Sequence, residues 1–197
     1  MRRLLAFART TLSGIALTAW FVSMLGLGAG LLARHMLPLR APQDTKRLGA
    51  SLDGLRSSDE RGRWLAVHVL YADCRCSLRI ADHLALTVRP PEWAEVVLWV
   101  GEPGPSPDLG SRFDVRRVSS ADLARYGIEA APLLVAIDPA GTVHYVGGYT
   151  DRKQGPVIDD RRLMAAARDS DFVPSLPVYG CAVSDRLQNE LATLPTL

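Results

Sequence analysis

Two cysteines separated by a single residue, Cys74 and Cys76 in the run YADCRC, carry the strongest chemical signal in the sequence. They lie between a short apolar run, Trp64 to Leu70, and a stretch with apolar residues at Ile80, Ala81, Leu84 and Val88. The first pattern suits a buried strand and the second a helix, so the cysteines fall at a strand-to-helix turn. A cysteine at a helix N-terminus meets unpaired backbone N–H groups and the positive end of the helix dipole, and both favour thiolate over thiol. Arg75 is expected to add to that effect and Asp73 to oppose it. Cys74 is therefore expected to be the attacking thiolate and Cys76 its resolving partner. A bridge between residues only two apart closes a small, strained ring, and strain raises the reduction potential. The pair is expected to oxidise or isomerise rather than to act as a strong reductant.

The remaining thiol, Cys181, lies near the C-terminus. A tail that folds back would let it pair with Cys74 or Cys76; otherwise it packs as a small hydrophobe. Both readings stay open. Three cysteines are too few for a disulfide-stapled scaffold, and an odd count leaves at least one thiol unpaired within a monomer.

Other chemistries find less support. Cys74, Cys76 and His83 are ligand types suited to Cu(I) or zinc. However, His83 stands about two helical turns beyond Cys76, roughly 10 Å by the rise per residue, too far to share one ion. No metal site is expected, and His83 reads as an ordinary helix histidine. His68, inside a strand, is expected to be packed or hydrogen-bonded. His144 is expected on an exposed hairpin and His35 at a membrane edge. Gly101 and Gly104 sit in a proline-rich loop, GEPGPSPDLG, without phosphate-binding context. Asp159, Asp160, Arg161 and Arg162 read as the charged start of a helix. The net charge of +2, with acids and bases interspersed, argues against a nucleic-acid partner. No organic cofactor is expected, because thiols carry their own electrons. A binding module that holds a partner without chemistry is the remaining alternative.

The elements that would position the cysteines follow in regular order. The segment 10–33 has no charged residue and is long enough to cross a bilayer as a helix. Arg2 and Arg3 would also suit a signal peptide, but the apolar run exceeds the usual signal core and no A-x-A site follows it. Basic residues flank both ends, so charge does not fix the orientation. Gly26 and Gly30 form a G-x-x-x-G pair that permits a homodimer. Residues 1–35 are thus expected as a membrane anchor and 36–62 as a linker, with one short helix near Asp44 to Leu55. Residues 63–170 are expected as the folded domain and 171–197 as a largely irregular tail, with a helix near Ser184 to Ala192. Within the domain, strands are expected at Trp64–Leu70, Glu95–Val100, Phe113–Val118, Leu133–Asp138 and Thr142–Val146. Helices are expected over Ser77–Val88, from Ser119 to Tyr126, and within Pro156–Arg168. The strand–helix–strand start implies parallel pairing, and the Ala140-Gly141 turn implies an antiparallel hairpin. An α/β mixed sheet with helices on both faces follows.

This order resembles the thioredoxin-like superfamily over roughly Trp64 to Arg168, and its general plan looks like the membrane-anchored TlpA- or ResA-type branch. The cysteine motif after the first strand, Pro132 in EAAPLLVAID, and the closing hairpin and helix carry the resemblance. The family norm is C-x-x-C, whereas this chain has C-x-C. By resemblance, Ala131-Pro132 is expected to be cis, to face the cysteines and to shape a substrate groove. The resemblance implies thiol–disulfide exchange with protein thiols. It also implies an inner-membrane, single-pass protein with its soluble domain in the periplasm. Thioredoxin-like copper chaperones, which use two cysteines and a distant histidine, are the alternative within the superfamily.

Overall fold

The computed structural model describes residues 2–101, 109–170 and 173–193, with side chains omitted at 2–13 and 32–36. Most of the GEPGPSPDLG loop, including Gly104, and the side chain of His35 lie outside the described residues. Two compact units result, one ending at Leu37 and the other running from Pro38 to Ala192.

The first unit is a single helix, α1 (Arg2–Met36). Its window Gly14–Leu31 is long and apolar enough to cross a membrane.

The second unit is built on a five-stranded mixed sheet. Strand β1 (Trp64–Tyr71) leads into α3 (Arg75–Leu86) and then β2 (Trp93–Val100). Next come β3 (Asp114–Val118), α4 (Ser120–Arg125), and the two-residue strand β4 (Ala130–Ala131). The hairpin β5 (Leu133–Ile137) and β6 (Val143–Gly147) follows, then α5 (Asp160–Asp169). The sheet order is β3-β2-β1-β5-β6. β1 pairs parallel with β2 and antiparallel with β5, so His68 stands between Val97 and Leu134. β2 is buried along its whole length, as its near-continuous apolar run requires of a strand covered on both faces. The hairpin turns at Gly141, whose φ of +87° favours glycine. Asp138 Oδ1 accepts from the N–H groups of Ala140 and Thr142, at 2.8 Å each, and so closes that turn.

Alternation along β1 divides the core. Leu65, Val67 and Val69 join Leu123 and Ile128 on one face. Ala66 and Leu70 join Ile80, Leu84, Leu163 and Met164, from α3 and α5, on the other. The architecture is an α/β mixed sheet flanked by helices.

The segments before and after the expected domain also build it. α2 (Thr45–Asp53) is capped by Asp44, which accepts from the Arg47 N–H at 3.0 Å. It places Leu48 and Leu52, one helical turn apart, fully in the core. The tail contains a strand, β7 (Cys181–Ala182), paired antiparallel with β4, and a helix, α6 (Asp185–Thr193). Tail residues Val178 and Val183 are buried. The expectation of a largely irregular tail therefore misses β7, because a two-residue strand has no periodicity to read.

Candidate active site

Cys74 occupies the N-cap of α3 with an extended backbone, φ −110° and ψ 112°. Its N–H donates to Tyr71 O at 3.1 Å, and its carbonyl accepts from Leu78 N at 3.0 Å. The side chain is only 1% exposed. Its Sγ lies 3.8 Å from the carbonyl oxygen of Ala131. An N-cap side chain ordinarily offers an oxygen to the free N–H groups of the first turn; the Cys74 side chain makes no such cap hydrogen bond. Ser77, at the third helical position, is fully buried, and its Oγ has no hydrogen-bond partner.

Three thiols converge on this cap. The Cys181 and Cys76 thiols exert the largest influences on the Cys74 sulfur, and the Ser77 N–H adds to them. Together they hold the Cys74 thiol far below its ordinary range, against the opposing effect of burial. Cys76 and Cys181 move the other way, each first because its proton is held by Cys74 and then because it is buried. Lys153 and Arg79 pull the Cys76 thiol back down. Arg75 and Asp73, expected to tune Cys74, are not among the leading causes. All three thiols are free.

Cys181 reaches this position through β7, in which it sits directly across from Ala131. The Ala131–Pro132 peptide bond is cis. Pro132, Cys76, Arg75, Arg79, Tyr149 and Tyr179 line a groove of about 300 Å³. Ala131, expected beside Pro132 in the groove, is fully buried and meets the site through its carbonyl.

Beneath the groove runs a buried polar chain. His68 lies between the Tyr149 hydroxyl, at 2.9 Å from Nδ1, and Glu95 Oε2, at 3.0 Å from Nε2. Arg89 donates to Glu95 and to Asp160, at 2.5 Å each. Tyr149 donates onward to Leu133 O at 3.3 Å, which ties the chain to the residue after Pro132. Burial drives the Tyr149 phenol well above its ordinary range, so it stays protonated. Asp160 opens α5, as the charged run implied, and is buried against Arg89 and His83.

The histidines stand apart from the thiols. His83 Nε2 is 2.9 Å from Asp160 Oδ1, so it belongs to the buried chain. His144 is half-buried rather than exposed, with its ring edge-on to Trp64 and Nε2 3.1 Å from Asp138. Among the described residues, no group of three His, Cys, Asp or Glu side chains forms a metal-ligating set. Sequence reasoning missed Ser77, Tyr149 and Tyr179. Only Ser77 had a signal, its position three residues after the cap cysteine, where an N3 side chain can turn back to the cap.

No family model and no curated protein matches the chain. Solved structures do. An uncharacterised conserved protein from Geobacillus kaustophilus is 15% identical, with a TM-score of 0.45 over 62% of this chain and 77% of that one. A hypothetical protein from Sinorhizobium meliloti is 18% identical, with a TM-score of 0.46 over 63% and 80%. The thioredoxin domain of a thiol-disulfide oxidoreductase from Bacteroides vulgatus is 14% identical, with a TM-score of 0.34 over 43% and 69%. None of these likenesses is close enough to carry a function to this chain, so the chemistry is read from its own cysteines.

Proposed function

We propose that this chain is a membrane-anchored thiol–disulfide oxidoreductase that acts on protein thiols outside the cytoplasm. One observation carries the reading: Cys74 stands at the N-cap of α3, and the Cys76 and Cys181 thiols beside it lower its pKa. A thiolate is the attacking species in disulfide exchange. The Cys74 sulfur bonds to one sulfur of a substrate disulfide, and the other substrate sulfur leaves as thiolate. A second protein thiol then attacks Cys74, which frees the substrate and closes a protein disulfide. The groove lined by Pro132 and Tyr179 receives the substrate beside Cys76. The apolar window in α1 supports a single-pass anchor in the inner membrane. An oxidising compartment such as the periplasm suits a protein whose thiols cycle through disulfides.

The test is disulfide exchange by the full chain in mild detergent, with a protein disulfide as substrate. Cys74→Ser should abolish exchange, since it removes the thiolate. Wild-type exchange by Cys74→Ser would overturn the proposal. Binding of a partner that survives the same substitution without any exchange would instead favour a module that holds proteins without chemistry.

A further inference from the structure

We propose that Cys181, carried on the tail strand β7, is the thiol that resolves Cys74, so that the working couple is Cys74–Cys181 and Cys76 stays a free, groove-facing thiol. This rests on the exchange chemistry proposed above and names which sulfur completes it.

Three independent features place Cys181 for that role. Its register puts it opposite Ala131, the residue whose carbonyl touches Cys74 Sγ. Cross-strand partners have Cα atoms about 4.5–5.5 Å apart, so Cys181 is held within one side-chain length of the site.

The tail is also fixed on both sides of it. Gly148 N donates to Leu176 O at 2.9 Å, Leu39 N to Val178 O at 2.8 Å, and Val183 N to Glu129 O at 2.8 Å. The Ser184 hydroxyl and Arg186 both bond the Glu129 carboxylate. Cys181 is thus set by an ordered strand and not by a swinging arm.

The third feature is steric. A Cβ at Gly180 would overlap the Ala131 carbonyl and come within 2.6 Å of Pro132 Cδ. Only a residue without a side chain lets the tail pass close enough to present the next thiol to Cys74. Gly148 meets Pro177 in the same way, so two glycines permit the close approach of this segment.

Cys76 is the weaker resolver. It is two residues from Cys74 on the first turn of one helix, where a bridge would close a small ring, and its side chain lines the groove. In the proposed sequence, Cys74 thiolate attacks the substrate disulfide and releases the first substrate thiolate. Cys181 attacks the Cys74 sulfur and releases the second substrate sulfur, which takes up the Cys181 proton as it leaves. The substrate gains two electrons, and the two protein thiols lose two.

The experiment uses the full chain in mild detergent, treated with bis(2-hydroxyethyl) disulfide, acid-quenched at intervals and mapped by mass spectrometry. Wild type and Cys76→Ser should each yield a Cys74–Cys181 bridge that dithiothreitol reverses. Cys181→Ser and Cys181→Ala should both accumulate a Cys74–hydroxyethyl mixed disulfide. Gly180→Ala, which removes no sulfur, should slow resolution roughly tenfold to a hundredfold by moving Cys181 off line. A Cys74–Cys76 bridge formed at the wild-type rate in Cys181→Ala, with none in Cys76→Ser, would overturn the inference and leave exchange standing. Absence of both bridge and adduct in wild type would overturn the exchange reading along with it.

Discussion

Oxidation should stabilise this domain by an amount that identifies the bridge. In the chain-entropy account, a cross-link removes loop-closure entropy from the unfolded chain, by an amount that rises with the logarithm of loop length. A Cys74–Cys181 bridge closes a loop of roughly 100 residues and is expected to contribute about 4.5 kcal/mol. A Cys74–Cys76 bridge closes about three residues and should contribute only about 1.5 kcal/mol. The native geometry favours the larger value without rearrangement, because β7 is already hydrogen-bonded in place on both sides of Cys181. For a domain of this size, about 4.5 kcal/mol corresponds to a rise in Tm of roughly 10–20 °C. The assay is thermal and urea unfolding of the full chain in detergent, oxidised and reduced, with Cys181→Ala as the variant limited to the short ring. Wild type should show the large gain and Cys181→Ala the small one. A gain in wild type no larger than in Cys181→Ala would refute the reasoning, whatever the mapping shows.

The remaining expectations concern the cap and the buried chain. Ser77→Ala should move the Cys74 thiol pKa by less than about one unit, because the buried Ser77 hydroxyl makes no hydrogen bond; a titration of thiolate ultraviolet absorbance in the Cys76→Ala, Cys181→Ala background reads it, and a rise well beyond one unit would place the hydroxyl on the sulfur. Arg89→Met leaves the Glu95 and Asp160 carboxylates buried without their cation and should cost about 3–5 kcal/mol of stability in urea unfolding. The same two carboxylates set an acid limit. Burial alone would raise both, but His68 and Arg89 outweigh it at Glu95, and Arg89 outweighs it at Asp160, so both fall below their ordinary 4.5 and 3.8. Groups lowered in this way contribute stability above their unfolded pKa and lose it as pH falls through the folded value. Stability should therefore hold near neutrality and decline below about pH 4, and the decline should shrink in Glu95→Gln; an unchanged acid limb in that variant would count against the assignment.

The parts of the fold legible in the sequence are those with long, one-sided patterns. β1 and β2 announce themselves as apolar runs because each is covered on both faces. α4 is marked by Ser119 and Asp122, which the structure joins in a capping box. What escaped notice depends on partners far away in the chain. Leu48 and Leu52 look sparse within a polar stretch, yet their one-turn spacing is enough to fix α2 on the core. Asp160 reads correctly as the charged start of a helix, but its burial depends on Arg89 and His83, 71 and 77 residues away. β4 and β7 have two residues each, too few for any alternation to show. The need for glycine at positions 148 and 180 becomes visible only when the opposing backbone is in view. The C-x-C motif could be placed at a helix start from sequence; the third thiol could be named but not placed.

The one-residue spacing of Cys74 and Cys76 and the presence of Cys181 are linked by helix geometry. With Cys74 at the N-cap, Arg75 and Cys76 take the first and second helical positions, and Ser77 takes the third. The N-cap and third-position side chains are the pair that meet in a capping box. In a C-x-x-C motif the second cysteine would take that third position. Here a serine holds it, and a hydroxyl cannot form a disulfide with the cap thiolate. In the exchange chemistry proposed above the second sulfur comes from elsewhere, and β7 carries one directly across from Ala131, whose carbonyl oxygen lies beside the Cys74 sulfur. Ser77→Cys tests this directly, because it restores a thiol at the third position and leaves the tail untouched. The mapped bridge should move to Cys74 and the introduced cysteine, and the oxidative gain in stability should fall to about 2 kcal/mol, as expected for a loop of about four residues. If Ser77→Cys instead keeps the wild-type gain and a Cys181-linked bridge, then competition for the cap is not what assigns resolution to the tail.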